Sequence, residues 1–564
     1  MLLISRPFCK VEDMGIRLWG LLLLVCNFSL SAQQELGRYW FEDMDEIPRL
    51  EPYQVLDVTG YMVFPRYDPV QQIGEGAFVY LWKPRFAGLS RRKLTRFNLF
   101  MEPEWESEFR LNPDEHVFYF TAVSDQLVVL SVEINYREKR QDIFARYFEP
   151  DSGSCVKKEV LATFSGGSES PVFFTQSRDN HTFLLFQLRR EEGTRRVTYY
   201  TDFLNSRGEP GFLATRATEI LHSSFDRDLH LLHSGTTDIP MAKKAVLLDV
   251  AVDDSSNIYV SWFDKPDHLS MLMVSEQGDT YGPLSVDEFP RPEVLRYLYD
   301  TGFPPYIGQP GHAYLPLTDR VEKGRGRGIK GFQVMHMDFL QKEVRVSHQI
   351  SATSGLLVEV EKGREEINSR KLRRFDQYVI RDLEFFPDGS MWMSTQYFAH
   401  DNFRGLSTAG PGSPQTSEQL VGELIIYVFD STGRPKKAII VPSSYTIRNV
   451  RDRMNQYADL SYDHAQGRLN ILIREYSGDN HRGPARLYYR AVDLNSGEVS
   501  PRTMLYHPTR RSFHAPVAFM EWLNKDILQI LSYEGEDERI YGVTINLALP
   551  PLTEEETREL RGNR

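Results

Sequence analysis

Along most of this chain, apolar and polar residues alternate with a period of two, and Gly, Asp, Asn or Pro closes each run. That is the pattern of half-buried β-strands joined by tight turns; helical spacing is scarce. Two stretches repeat it in the same order. The first runs from Asp382-Leu383 through the turn Asp388-Gly389 into Met391-Trp392-Met393, then Tyr397, then Asp401-Asn402-Phe403-Arg404-Gly405. The second runs from Asp459-Leu460 through Gln466-Gly467 into Leu469 to Ile473, then Tyr476, then Asp479-Asn480-His481-Arg482-Gly483. Each adds a third strand, Leu424 to Phe429 or Leu487 to Val492, and a Gly-containing turn toward a fourth. Four antiparallel strands per unit is the blade of a β-propeller.

Weaker copies begin near Val117, Val172 and Asp249, a degenerate one spans 312–350, and a last begins at Ala518. In the copy at Val172 the outer turn is placed at Asn205 to Gly208. The expected fold is therefore all-β, a propeller of seven four-stranded blades, with six to eight compatible with the spacing. The last unit stops after its third strand, Ile540 to Ile545, so an N-terminal strand is expected to complete it and remove an open edge. Tyr53 to Val58 suits that role. Long loops are expected at 87–115, 287–311 and 405–418, and residues 53–110 have room for an eighth blade. Two stacked β-sandwiches are the competing arrangement.

The ends change the picture next. Arg17, the apolar run Leu18 to Val25 and the small residues Ser29 to Ala32 have the order of a secretory signal peptide. Residues 1–32 are assigned to it, with Met14 the expected true start, 33–548 to one propeller domain and 549–564 to a charged tail. The protein is expected to be exported, periplasmic or extracellular; lipid attachment at Cys26 is a minor alternative. Of three cysteines, only Cys155 would remain in the mature chain, so neither an internal disulfide nor a thiolate-rich zinc site is open to it. A formal charge of −12 argues against nucleic acid as a partner. Basic residues do cluster at Arg91 to Lys93 and at Lys323 to Lys330; the second cluster, rich in Gly, reads as a solvated loop. No transmembrane segment is expected after residue 32, and a monomer is expected.

Phe386-Pro387-Asp388-Gly389-Ser390-Met391-Trp392 resembles the D-G-x-hydrophobic-Trp hairpin of extracellular propeller families, and Val250 to Trp262 is similar. The likeness covers one inner hairpin and implies fold, not activity. The WD, kelch and sialidase signatures are absent, as are the hydrolase G-x-S-x-G elbow, the phosphate loop and H-E-x-x-H.

Two repeated features are candidate ligand sites. Asp249, Asp382 and Asp459 begin the innermost strand of three units, where a ring of carboxylates would hold a channel-bound Ca²⁺ or a sugar hydroxyl. The plainer reading is that each carboxylate caps its own strand. The loops containing Asp401 and Arg404, and Asp479 and Arg482, with Tyr397 and Tyr476 just before them, suit a polar ligand such as a carbohydrate, or are simply a shared turn. No other cofactor is identified. The function expected is a non-enzymatic exported propeller that binds a protein or glycan partner. The alternative is a secreted hydrolase or lyase acting on polysaccharide, with channel carboxylates as acid and base; no catalytic residue is assigned.

Overall fold

The computed structural model describes residues 35–41, 70–73, 77–83, 91–123, 126–166, 171–178, 180–189, 197–204, 210–215, 217–242, 245–265, 268–287, 306–323, 326–351, 378–401, 418–443, 445–447, 459–463, 467–476, 485–506, 520–522, 527–534 and 539–546. Among the described residues there are only strands and turns. They form eight antiparallel sheets. Seven take their core strands in simple succession: Val70–Ile73 to Pro103–Arg110, Glu115–Val123 to Cys155–Ser165, Val172–Gln176 to Leu231–Asp238, Val246–Val252 to Thr280–Asp287, Tyr306–Gln309 to Glu343–Ser351, Tyr378–Phe385 to Pro435–Val441, and Asp459–Asp463 to Thr503–Tyr506. They are numbered here first to seventh in that order. In the eighth, Met520–Trp522, Ile527–Glu534 and Arg539–Asn546 are completed by Glu35–Phe41 from the other end of the chain.

That pairing closes the ring. Across the seam, the Gln529 amide of the eighth sheet donates to the Tyr80 hydroxyl of the first at 2.5 Å. A cyclic series of such sheets is a β-propeller. The closing strand lies upstream of Tyr53 to Val58, which fall outside the described residues. The eighth sheet in the count arises because 87–115, expected as a loop, contains the paired strands Arg91–Asn98 and Pro103–Arg110. Their charges obscured the strand pattern: Arg91 pairs with Glu108, Lys93 with Glu106, and Arg96 with Glu104. The basic cluster at Arg91 to Lys93 is thus offset by acids on the next strand.

Period two has a direct packing consequence. Each second strand is buried on both faces and feeds a different core with each. Met391 and Met393 join the core between the fifth and sixth sheets, whereas Trp392 joins the core between the sixth and seventh. Ile258, Val260 and Trp262 face the third sheet, and Tyr259 faces the fifth. Fully burying an apolar side chain of this kind stabilises by roughly 1.5–3 kcal/mol, so successive sheets are held by side chains and need no disulfide.

The turns are set by Asp carboxylates that accept nearby backbone N–H groups. Asp253 accepts from Ser255 and Asn257 at 2.9 Å each, Asp388 from Ser390 at 2.9 Å, and Asp430 from Thr432 at 2.9 Å. Gly433 has φ +79°, and a Cβ there would lie 2.0 Å from the Ser347 carbonyl oxygen, so only glycine fits this contact between sheets.

Two further expectations change. Thr198–Leu204 and Pro210–Thr215, which flank Asn205 to Gly208, form an inserted hairpin that pairs with Val246–Val252 of the fourth sheet. The third sheet takes Glu219–Asp226 and Leu231–Asp238 as its outer strands instead. Alternation marks strands but does not name their partners. The Gly-rich run Gly324 to Gly331 belongs mainly to a long hairpin, His312–Lys323 paired with Gly326–Asp338, and not to a loop.

Candidate functional site

The three repeated aspartates stand at one register position, but only Asp459 begins its strand. Asp249 and Asp382, expected at strand entry, lie inside Val246–Val252 and Tyr378–Phe385, because those innermost strands continue past a bulge. Asp249 lies opposite Ser261, Asp382 opposite Ser394 and Asp459 opposite Leu472. The following residue pairs equivalently in each: Val250 with Val260, Leu383 with Met393, Leu460 with Ile471. In the fourth and sixth sheets a register shift falls just before the Asp, between Leu247 and Asp249 and between Ile380 and Asp382. A bulge there re-aims the backbone. The serine opposite stabilises it: Ser261 donates to the Asp249 carbonyl at 3.4 Å, and Ser394 to that of Asp382 at 3.3 Å. Asp249 and Asp382 are partly exposed. The Asp382 carboxylate accepts the N–H of Leu383 at 2.9 Å, a bond to neighbouring backbone just after the bulge. The Asp459 side chain is outside the described set.

Tyr397 lies in the core. It is 5% exposed, packs edge-on against Tyr378 at 5.5 Å, and belongs to the cluster between the fifth and sixth sheets. Asp401 ends the strand Met391–Asp401 and Tyr476 ends Arg468–Tyr476, at the same end of neighbouring sheets. Arg404, Asp479 and Arg482 lie outside the described residues. Among the described residues no group of three His, Cys, Asp or Glu side chains is arranged to hold a metal.

The opposite end of the ring carries the tight turns between innermost and second strands. Here sequence reasoning missed a residue. Arg178 sits in the turn of the third sheet, yet it meets the fifth and sixth. Its guanidinium lies 4.5 Å from the centre of the Tyr306 ring, with one nitrogen 3.5 Å from the Leu383 carbonyl oxygen and another 3.5 Å from the Glu384 carboxylate. A residue of the third sheet reaches the sixth only across the central channel, so the Arg178 side chain spans this mouth. Glu384 is nearly buried, its side chain 9% exposed, and Arg178 supplies its counter-charge.

Neighbouring turns are also tied. Thr182 donates to the Asp254 carbonyl at 3.4 Å. The Tyr259 hydroxyl donates to Asp253 and accepts the Gly311 N–H, each at 2.8 Å. Burial, then the Asp253 charge, raises the pKa of Tyr259 and keeps it a neutral phenol. This mouth is cross-braced. Nothing local in the sequence Ser177-Arg178-Asp179 announces a contact that spans about two hundred residues.

No protein-family model and no curated protein matches the chain. Among solved structures it is similar to the Nup133 β-propeller domain of Vanderwaltozyma polyspora, at 8% identity over 85% of this chain and 100% of that one, with a TM-score of 0.39. It is similar to prolyl oligopeptidase B from Galerina marginata at 9% identity, over 84% of this chain and 54% of that one, TM-score 0.34. It is similar also to the polysaccharide lyase Uly1 at 11% identity, over 91% and 98%, TM-score 0.30. At these scores the likenesses carry no argument about function; the class, a closed β-propeller of no specific family, rests on the sheet topology.

Proposed function

We propose that this chain is an exported, non-enzymatic propeller that binds a protein or glycan partner at the end of the ring opposite Arg178. The observation that carries the reading is the Arg178 tie to Tyr306 and Glu384, which spans one mouth of the channel. A glycoside-cleaving site needs two carboxylates about 5–10 Å apart and free for proton transfer. Glu384 is instead compensated by Arg178, and Asp382 accepts its neighbour's N–H. Both observations favour binding over polysaccharide hydrolysis or elimination.

The strand order supports the choice of face. Connections 288–305, 352–377, 402–417, 442–458, 477–484 and 507–519 all leave from the end opposite Arg178, including the two D-N-x-R-G loops. Binding residues fall disproportionately on loops that a rigid scaffold positions. The test is affinity electrophoresis through gels cast with neutral and acidic polysaccharides, together with an Arg404→Ala/Arg482→Ala variant. Retardation that weakens at least tenfold in the variant supports the loops as the binding element. Equal retardation of both proteins would remove them from it. Export rests on the order of Arg17, Leu18 to Val25 and Ser29 to Ala32. Intact mass of the native protein should place its start near Gln33, and a start at Met1 or Met14 contradicts export by this route.

A further inference from the structure

An outermost strand exposes a row of unpaired N–H and C=O groups, and proteins blunt such edges with charge, proline or shortness. The described outermost strands of this ring follow that rule, with one exception, whose sole irregularity is a register shift between Leu231 and His233 at its start. Pro103–Arg110 carries Glu104, Glu106 and Glu108, and Cys155–Ser165 carries Lys157 and Lys158. Thr280–Asp287 contains Pro283, Glu343–Ser351 contains Arg345, and Pro435–Val441 has both Pro435 and Lys436. Thr503–Tyr506 has 4 residues, and the closing strand Glu35–Phe41 contains Arg38.

Leu231–Asp238 of the third sheet, 8 residues long, has no proline and no Lys, Arg or Glu, and its one Asp is its last residue. It shows leucines instead, with Leu231 56% and Leu232 41% exposed. Among the described strands none pairs with its outer edge. A groove of about 440 Å³ opens beside its C-terminal half, between the third and fourth sheets, lined among others by Thr236, Asp238, Thr280 and Pro283. The local charge is acidic: Asp238, Glu276 and Asp279 are all exposed, and Asp279 lies between the groove residues Gly278 and Thr280.

We infer that the outer edge of Leu231–Asp238 is a strand-addition site for an extended segment of a partner protein. Main-chain hydrogen bonds would supply affinity, apolar side chains would cover Leu231 and Leu232, and a basic side chain would meet Asp238 beside the groove. The edge lies on the rim, apart from the face proposed above, and does not depend on that reading.

Hydrogen exchange on the full chain tests it, with an acetylated heptapeptide of alternating valine and lysine as probe and the valine–glutamate peptide as control. The amides of 231–238 should exchange at least tenfold more slowly with the lysine peptide than with the control. A Leu231→Lys/Leu232→Lys variant, altered only at exposed positions, should melt like the wild type and lose that protection; Ser234→Lys serves if the double variant does not fold. Absence of protection at millimolar peptide, or equal protection in the variant, overturns the inference. So does a wild-type dimer in sedimentation that the variant lacks, because the edge would then belong to a second copy of this chain.

Discussion

Arg178 and Glu384 lie two hundred residues apart in sequence and 3.5 Å apart in space, joined across the channel. Arg178 is one-third exposed, so solvent screens the pair and its net worth is modest, but Glu384 is nearly buried and would lose this counter-charge. Arg178→Ala should cost about 1–3 kcal/mol, part of it from the lost contact with Tyr306. Glu384→Gln should make the further loss of Arg178 cheaper, a coupling of about 1 kcal/mol in a double-mutant cycle read by urea unfolding. Additive losses would mean that the two residues do not act together.

Acid should weaken the fold in two stages. Burial, then the neighbouring His233, lowers the His222 pKa to about 4; burial, then His312 and Arg345, lowers that of His336 to about 4. An unfolded imidazole titrates near 6.5. Between pH 6.5 and 4 the unfolded chain therefore binds protons that the folded chain does not, and stability falls as pH falls, by on the order of 2–3 kcal/mol per histidine. Glu115 adds a loss at lower pH. Burial alone would raise its pKa, but bonds from Arg146, the Asn112 N–H and Ser131 outweigh burial and hold it at about 2. Its contribution is present above pH 4.5 and lost as pH falls through 2. Melting curves from pH 7 to 4 should drop in the wild type and drop less in His222→Gln. A flat wild-type profile contradicts the burial of neutral histidines.

How far the sequence carries this structure depends on whether a feature is local. Asp388-Gly389 and Asp430 with Gly433 announce their turns because the carboxylate bonds backbone within four residues and glycine takes positive φ. The hairpins that end in Trp392 and Trp262 are legible for the same reason, since alternation is a local signal, and both side chains are buried. The strands Arg91–Asn98 and Pro103–Arg110 are hidden because their ion pairs put charge where alternation calls for neutral residues. The hairpin between Thr198 and Thr215 is visible as strands, but its partner Val246–Val252 is a tertiary choice. The shared register of Asp249, Asp382 and Asp459 was legible as a repeat, while the Arg178 contact, which has no repeat and no motif, was not.

Ring closure makes a covalent prediction. Arg38 lies directly opposite Val543 in the pairing of Glu35–Phe41 with Arg539–Asn546. In a chain begun at Gln33 with Cys155→Ser, the pair Arg38→Cys/Val543→Cys should form a disulfide under mild oxidation, since opposed residues of antiparallel strands come within bridging reach. Peptide mapping should find the 38–543 link in monomers, and the linked protein should melt higher than its reduced form. A link that forms only between molecules, or not at all, would place another segment on that edge.

We propose that this propeller binds its partner without cleaving it. The direct measurement is incubation of the chain with each polysaccharide that retards it in the gel, followed by assay for new reducing ends and for unsaturated uronate products. The account predicts that the polysaccharide is recovered at its original length, with product no higher than in a denatured control. Steady product formation that disappears in Asp382→Asn or Glu384→Gln would make those acids catalytic and contradict it.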